Sequence, residues 1–247
     1  MTRGSMRALV SVRNVDEALI AADAGVDFID LKEPAAGALG GLPVSVIVAV
    51  VHALRSRGHA MPISATIGDR SPNQLVTILD QVAAVGACGV DHVKVGIEHH
   101  PEAGALIEAL GKSRWPVVPV FITDRGLDAA ALQQACAARP MFAAVMVDTA
   151  AKSAGSLIDR IDAPALRAFI ERVQAAGALA GVAGALRLSD VDALNELAPD
   201  FAGFRSAVCE GDRATALSRI RLHALLGRLR EAQSLPLSSL PRRAVGQ

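Results

Sequence analysis

The chain contains no tyrosine, a single tryptophan and only 3% aromatic residues. That scarcity leaves no platform on which nucleobases could stack. Neither sign of charge is in excess, since 25 Lys and Arg balance 25 Asp and Glu. A nucleic-acid partner usually needs a basic face, so the balance argues against one. Cysteine is sparse as well, limited to Cys88, Cys136 and Cys209. Their wide spacing suits neither a disulfide framework nor a metal site, and reads as small buried hydrophobes in a reducing compartment. No apolar run approaches the roughly 20 residues of a membrane span. The longest, Leu42 to Leu54, contains Ser45 and His52. Met1 to Met6 lacks the apolar segment of a secretory signal, so the expected location is the cytoplasm, away from membranes.

What is abundant is aliphatic. Half of the 247 residues, 51%, are apolar, and the mean hydropathy is +0.36. This length suits one α/β barrel or two ordinary domains. Eight short apolar segments rich in branched residues read as strands: Met6–Val12, Val26–Lys32, Pro62–Gly68, Val90–Gly96, Trp115–Ile122, Phe142–Asp148, Leu179–Ala183 and Phe201–Ser206. Between them lie segments of helical periodicity. Asn14 is placed to cap the first helix, with Glu17 as its reciprocal partner. Pro116 and Pro119 are awkward for the fifth strand, because each removes a backbone donor. Ala214 to Glu231 reads as a terminal helix. The alternation predicts a (β/α)8 TIM barrel over residues 6–231, followed by a disordered tail over 232–247. An open doubly wound sheet is the rival architecture. No glycine fingerprint follows the first strand, which weakens a dinucleotide role, and no cofactor is expected. The His99–His100 pair lacks a second ligand cluster at suitable spacing, so no metal is expected either.

The strand ends carry charge. In Val26 to Pro34, Asp30 and Lys32 share one face, because side chains alternate along a strand. Lys94 stands near the end of the fourth strand. Asp148 ends the sixth, with Lys152 shortly after. Converging charges at strand ends are how a barrel builds an active site. A lysine in such a mouth can bind phosphate, form a Schiff base or transfer a proton. Mutual repulsion among Lys32, Lys94 and Lys152 would lower the pKa of at least one and free its amine. Asp30, Asp148 and Asp124 would neutralise the others and relay protons. Ser64 and Thr66 share one face of the third strand, with Asp69 beyond its end. Gly184, Ala185, Arg205, Ser206 and Gly211 lie in the seventh and eighth units, where barrels often hold phosphate. Arg213 could serve the same end or pair with Asp212. These residues suggest carbonyl chemistry on a small phosphorylated, sugar-like substrate.

The ordered set Asp27-Phe28-Ile29-Asp30-Leu31-Lys32-Glu33-Pro34, Ser64-Ala65-Thr66-Ile67-Gly68-Asp69, Val93-Lys94-Val95-Gly96, Asp148-Thr149-Ala150-Ala151-Lys152, Ala183-Gly184-Ala185-Leu186 and Arg205 to Arg213 resembles the (5-formylfuran-3-yl)methyl phosphate synthase family. The resemblance covers about residues 6 to 230. It implies a barrel that condenses two molecules of glyceraldehyde 3-phosphate into a furan aldehyde bearing one phosphate, a precursor of methanofuran-type cofactors. It further implies that Lys32 forms the imine, that Lys94 shuttles protons, that Asp30 orients or relays, and that Asp148 and Lys152 match the family's strand-six acid and basic group. Glu33, Ser206 and the single Gly211 depart from the family pattern at positions that bear on phosphate contacts. The alternatives are a class I aldolase or epimerase acting on another sugar phosphate, and a non-catalytic barrel that binds phosphometabolites. Spare apolar helix faces would favour a homo-oligomer.

Overall fold

The computed structural model describes residues 6–138, 142–151 and 154–234. Lys152 and nearly all of the expected tail lie outside the described residues. Eight parallel strands close on themselves in sequence order: β1 (Arg7–Val12), β2 (Phe28–Leu31), β3 (Ile63–Thr66), β4 (His92–Ile97), β5 (Val117–Ile122), β6 (Ala144–Asp148), β7 (Leu179–Val182) and β8 (Phe201–Phe204). Around them run α1 (Val15–Asp23), α2 (Val44–Ser56), α3 (Leu75–Gly86), α4 (Ala103–Gly111), α5 (Ala129–Ala137), α6 (Leu157–Arg160), α7 (Ala163–Ala175), α8 (Val191–Leu197) and α9 (Arg219–Ser234). The chain is therefore a (β/α)8 barrel, as the alternation of strand and helix patterns predicts.

The period-two alternation of each strand splits the apolar residues into two bodies. Outward-facing residues such as Ile29, Leu31, Ile63 and Ala65 join the helices in one continuous core. Ile47, Val50, Val51 and Leu54 of α2 belong to it, and burying each is worth about 1.5–3 kcal/mol. Inward-facing Leu9, Val118, Ala144, Met146 and Phe201 form a separate plug inside the barrel. Its amino-terminal end is closed by the Phe28 and Phe201 rings, 5.4 Å apart, with the Arg7 guanidinium stacked on Phe28. Along β2, alternation thus sends Phe28 to the plug, Asp30 to the middle and Lys32 to the carboxyl-end rim.

Four local expectations need correction. Lys32 follows the last residue of β2, and Ser206 belongs to a 3-10 turn, Ser206–Val208, rather than to β8. Asn14 does cap α1, accepting from the Glu17 amide at 2.9 Å. The Glu17 carboxylate, however, reaches the Arg13 amide and Arg205 instead of returning to Asn14. The terminal helix begins at Arg219, not Ala214, because residues 209–217 form a loop closed by a Cys209–Leu217 bridge. The proline-containing β5 does form a strand, as expected, and is regular against β4, pairing from Val93–Val117 to Ile97–Phe121. Pairing with β6 begins only at Val120, beyond Pro119 and its missing donor.

Candidate active site

The centre of the site is Asp30, only 1% exposed. Strand register sets Ser11 of β1 on one side of it and Ser64 of β3 on the other. The Ser11 hydroxyl donates to Oδ2 at 3.2 Å, and the Ser64 hydroxyl donates to Oδ1 at 2.7 Å. The Lys94 ammonium, 4% exposed, lies 3.0 Å from the same Oδ1. Burial pushes the Asp30 pKa up. The charges of Lys94 and Lys32, with the Ser64 hydrogen bond, outweigh burial and hold it below the ordinary carboxylate value. The acid is therefore a fixed anion at neutral pH, and Lys94 is its partner.

Above this pair opens a cavity at the carboxyl ends of the strands. Lys32, 7% exposed, lies on its wall together with Asp148, Gly184, Ala185, Ser206 and Arg213. Asp148 accepts the Thr149 amide at 2.7 Å and is itself almost fully buried. Gly184 has φ +127° and Ala185 φ +47°. A side chain at Gly184 would meet the Thr149 hydroxyl at 2.8 Å, so glycine alone fits this bend. Arg213 donates from Nη2 to the Gly37 carbonyl at 2.9 Å, tying the loop after β8 to the loop after β2. Burial pulls its guanidinium below the usual arginine range, and the nearby Asp148 charge opposes that.

Several residues expected to touch substrate are engaged elsewhere. Arg205 borders the cavity, but its guanidinium is committed to protein acceptors. It forks onto Glu17 at 2.5 and 3.1 Å and donates to the carbonyls of Ser11, Arg213 and Thr215. Those contacts use all five of its N–H groups, which leaves none unengaged in this structure. Thr66 is fully buried and donates to the Gly40 carbonyl at 2.9 Å. Asp69 accepts the Leu39 amide at 3.0 Å, bracing the same loop. Asp124 accepts the amides of Ala150 and Ala151 and the Arg160 guanidinium, so it organises the loop after β6. The Gly211 amide is used within its own loop, donating to Thr215 Oγ1. Ser64 acts from behind, through Asp30. Lys152 lies outside the described residues.

Sequence reasoning missed Ser11, gave Glu17 only a capping role and left Arg213 undecided. Ser11 is an isolated hydroxyl in an apolar strand, and its inward parity was the available signal. Glu17 reads as a capping residue, and its partner Arg205 is 188 positions away. Among the described residues, no group of three or more His, Cys, Asp or Glu could hold a metal ion. Nor is any described helix long and apolar enough to cross a membrane.

Residues 8–226 match the family model described as 4-HFC-P synthase. The chain is 33% identical over 226 residues to the (5-formylfuran-3-yl)methyl phosphate synthase of Methanosarcina acetivorans, with 86% of this chain and 94% of the relative aligned. The chain belongs to the (5-formylfuran-3-yl)methyl phosphate synthase family. A relative in Methylorubrum extorquens, provisionally named for the same synthase activity, is 37% identical over 217 residues, covering 87% of this chain and 88% of its own length. The family match runs from β1 into α9 and so spans every residue that lines the cavity, from Leu9 to Arg213. A solved structure of phosphoribosyl anthranilate isomerase from Thermus thermophilus superposes with a TM-score of 0.62, covering 92% of this chain and 99% of that one. At 19% identity this likeness speaks for the barrel fold alone.

Proposed function

We propose that the protein condenses two molecules of glyceraldehyde 3-phosphate into (5-formylfuran-3-yl)methyl phosphate, with loss of one phosphate and of water. The product serves as a precursor of methanofuran-type cofactors. The observation that carries this reading is the buried Asp30–Lys94 pair, 3.0 Å apart, directly beneath Lys32. Lys94 is ion-paired with Asp30 and suited to proton transfer, and Lys32 lines the cavity, where a carbonyl can arrive.

Lys32 forms the imine. Its amine adds to the carbonyl of one triose phosphate and water leaves, and the protonated imine draws electrons from the adjacent carbon. Lys94, poised on Asp30, moves the proton from that carbon during isomerisation and phosphate loss. Asp30 does not titrate in this cycle, because its lowered pKa keeps it anionic; it orients the ammonium and stabilises its charge. The resulting carbon nucleophile attacks the aldehyde of the second triose. Asp148, in the cavity wall, and Lys152 supply further acid–base capacity. Hydrolysis of the imine frees Lys32, cyclisation and dehydration give an aromatic furan, and aromaticity drives the sequence forward. Small phosphorylated substrates, a cytoplasmic location and no cofactor complete this reading.

The test is incubation with glyceraldehyde 3-phosphate alone, followed by the ultraviolet absorbance of a furan aldehyde. The expected result is furan from the wild type and none from Lys32→Ala. Borohydride with substrate should label residue 32 covalently. Lys94→Gln should retain that label but turn over on the order of 10²–10⁴-fold more slowly, the range for a lost general acid–base. Full furan production without an amine at position 32, or label on another residue, would overturn the assignment.

A further inference from the structure

Arg213 is a cation in the cavity wall whose function the fold itself does not consume. Among the described residues, its guanidinium makes one hydrogen bond, from Nη2 to the Gly37 carbonyl. A guanidinium carries five N–H donors, so most of its fork has no hydrogen-bond acceptor among the described residues, and the side chain lines the cavity. Arg205, eight positions earlier, presents the opposite case, with every donor engaged.

The loop that carries Arg213 is held with unusual care. Arg205 Nε donates to the Arg213 carbonyl at 2.8 Å, and Arg205 Nη2 to the Thr215 carbonyl at 2.7 Å. Arg13, ion-paired with Glu33, donates to the Ala214 carbonyl at 2.6 Å. Three successive carbonyls, of residues 213 to 215, are therefore pinned by two arginines. Each of those arginines is in turn pinned by a carboxylate, Glu17 or Glu33. Such a framework removes the conformational freedom that a loop arginine would otherwise lose on meeting an anion.

After β7, the amides of Gly184, Ala185 and Leu186 have no acceptor among the described residues. Their carbonyl side is tied down, with Gly184 accepting from Leu157 at 2.8 Å. Gly184 and Ala185 share the cavity wall with Arg213 and Ser206. Successive amides in a bend with positive φ form a concave donor surface that suits an anion.

We infer that Arg213, and not Arg205, is the side chain that binds the phosphate of the triose substrate, closing it against the Gly184–Ala185 bend. A planar fork matches two phosphate oxygens, and binding there sets the carbonyl end of the substrate toward Lys32. The inference rests on the triose-phosphate reading for the substrate's identity, but the anion site stands on the geometry alone.

Two measurements on the full chain test it. The first is calorimetric titration with inorganic phosphate, which needs no turnover. Arg213→Gln is expected to weaken binding by roughly tenfold or more, the value of a charge-assisted pair, with Arg213→Lys in between. The second is borohydride trapping at Lys32 with glyceraldehyde 3-phosphate and, separately, with unphosphorylated glyceraldehyde. Arg213→Gln should lower trapping of the phosphorylated aldehyde at limiting concentration and leave the unphosphorylated one unchanged. Phosphate binding by Arg213→Gln equal to wild type, no detectable binding by wild type, or equal loss for both aldehydes would each overturn the inference. A wild type that binds phosphate through Arg213 yet makes no furan would reject the proposed reaction and leave the anion site standing.

Discussion

Glu17→Ala gives the sharpest stability test, because the structure predicts both its size and its rescue. Glu17 is 5% exposed and Arg205 6%. Their side chains form a two-pronged ion pair between α1 and the end of β8, at 2.5 and 3.1 Å. Removing one partner of a buried pair strands the other charge, at a cost of about 3–5 kcal/mol. Arg205 keeps the carbonyls of Ser11, Arg213 and Thr215, so the lower end, about 3 kcal/mol, is expected. In a domain of this size that lowers Tm by roughly 6–12 °C. Thermal unfolding followed by far-ultraviolet circular dichroism measures it. The double variant Glu17→Ala with Arg205→Met removes the stranded charge as well, and should recover part of the loss. A Tm drop of less than about 2 °C, or a double variant less stable than Glu17→Ala, would refute the reasoning that the pair is buried and coupled.

Other predictions concern the acid centre and the rim. The ionised Asp30 contributes stability above the ordinary carboxylate pKa of about 4, and that contribution fades as pH falls through its lowered folded value. Asp30→Asn should therefore flatten the fall in denaturant midpoint below about pH 4; a wild-type acid limb in the variant would contradict the pairing. At Gly37, φ is +121° and an added Cβ would collide with Asp69 Oδ2. Gly37→Ala should cost about 1–3 kcal/mol in backbone strain and raise the triose-phosphate KM by displacing the carbonyl that holds Arg213. An unchanged Tm together with an unchanged KM would count against the latch between the two loops.

The amino-acid order by itself specified the barrel. Eight branched apolar segments at regular spacing, each followed by a helical pattern, allow few other closed arrangements, and strand parity alone puts Asp30 and Lys32 on one inward face. Parity is local, a property of consecutive residues, and so survives without knowledge of the partner strands. The tertiary structure decided what each charged group does. Asp69, Asp124, Thr66 and Arg205 all stand near strand ends in the sequence, like Lys32 and Asp148. Yet the structure engages Asp69, Asp124 and Thr66 in loop bracing and Arg205 with a helix glutamate. Whether a charged side chain faces a ligand or another part of the chain depends on which acceptors lie within about 3 Å of it. Glu17 and Arg205 are 188 positions apart, and only closing β8 onto β1 brings such groups within hydrogen-bonding distance.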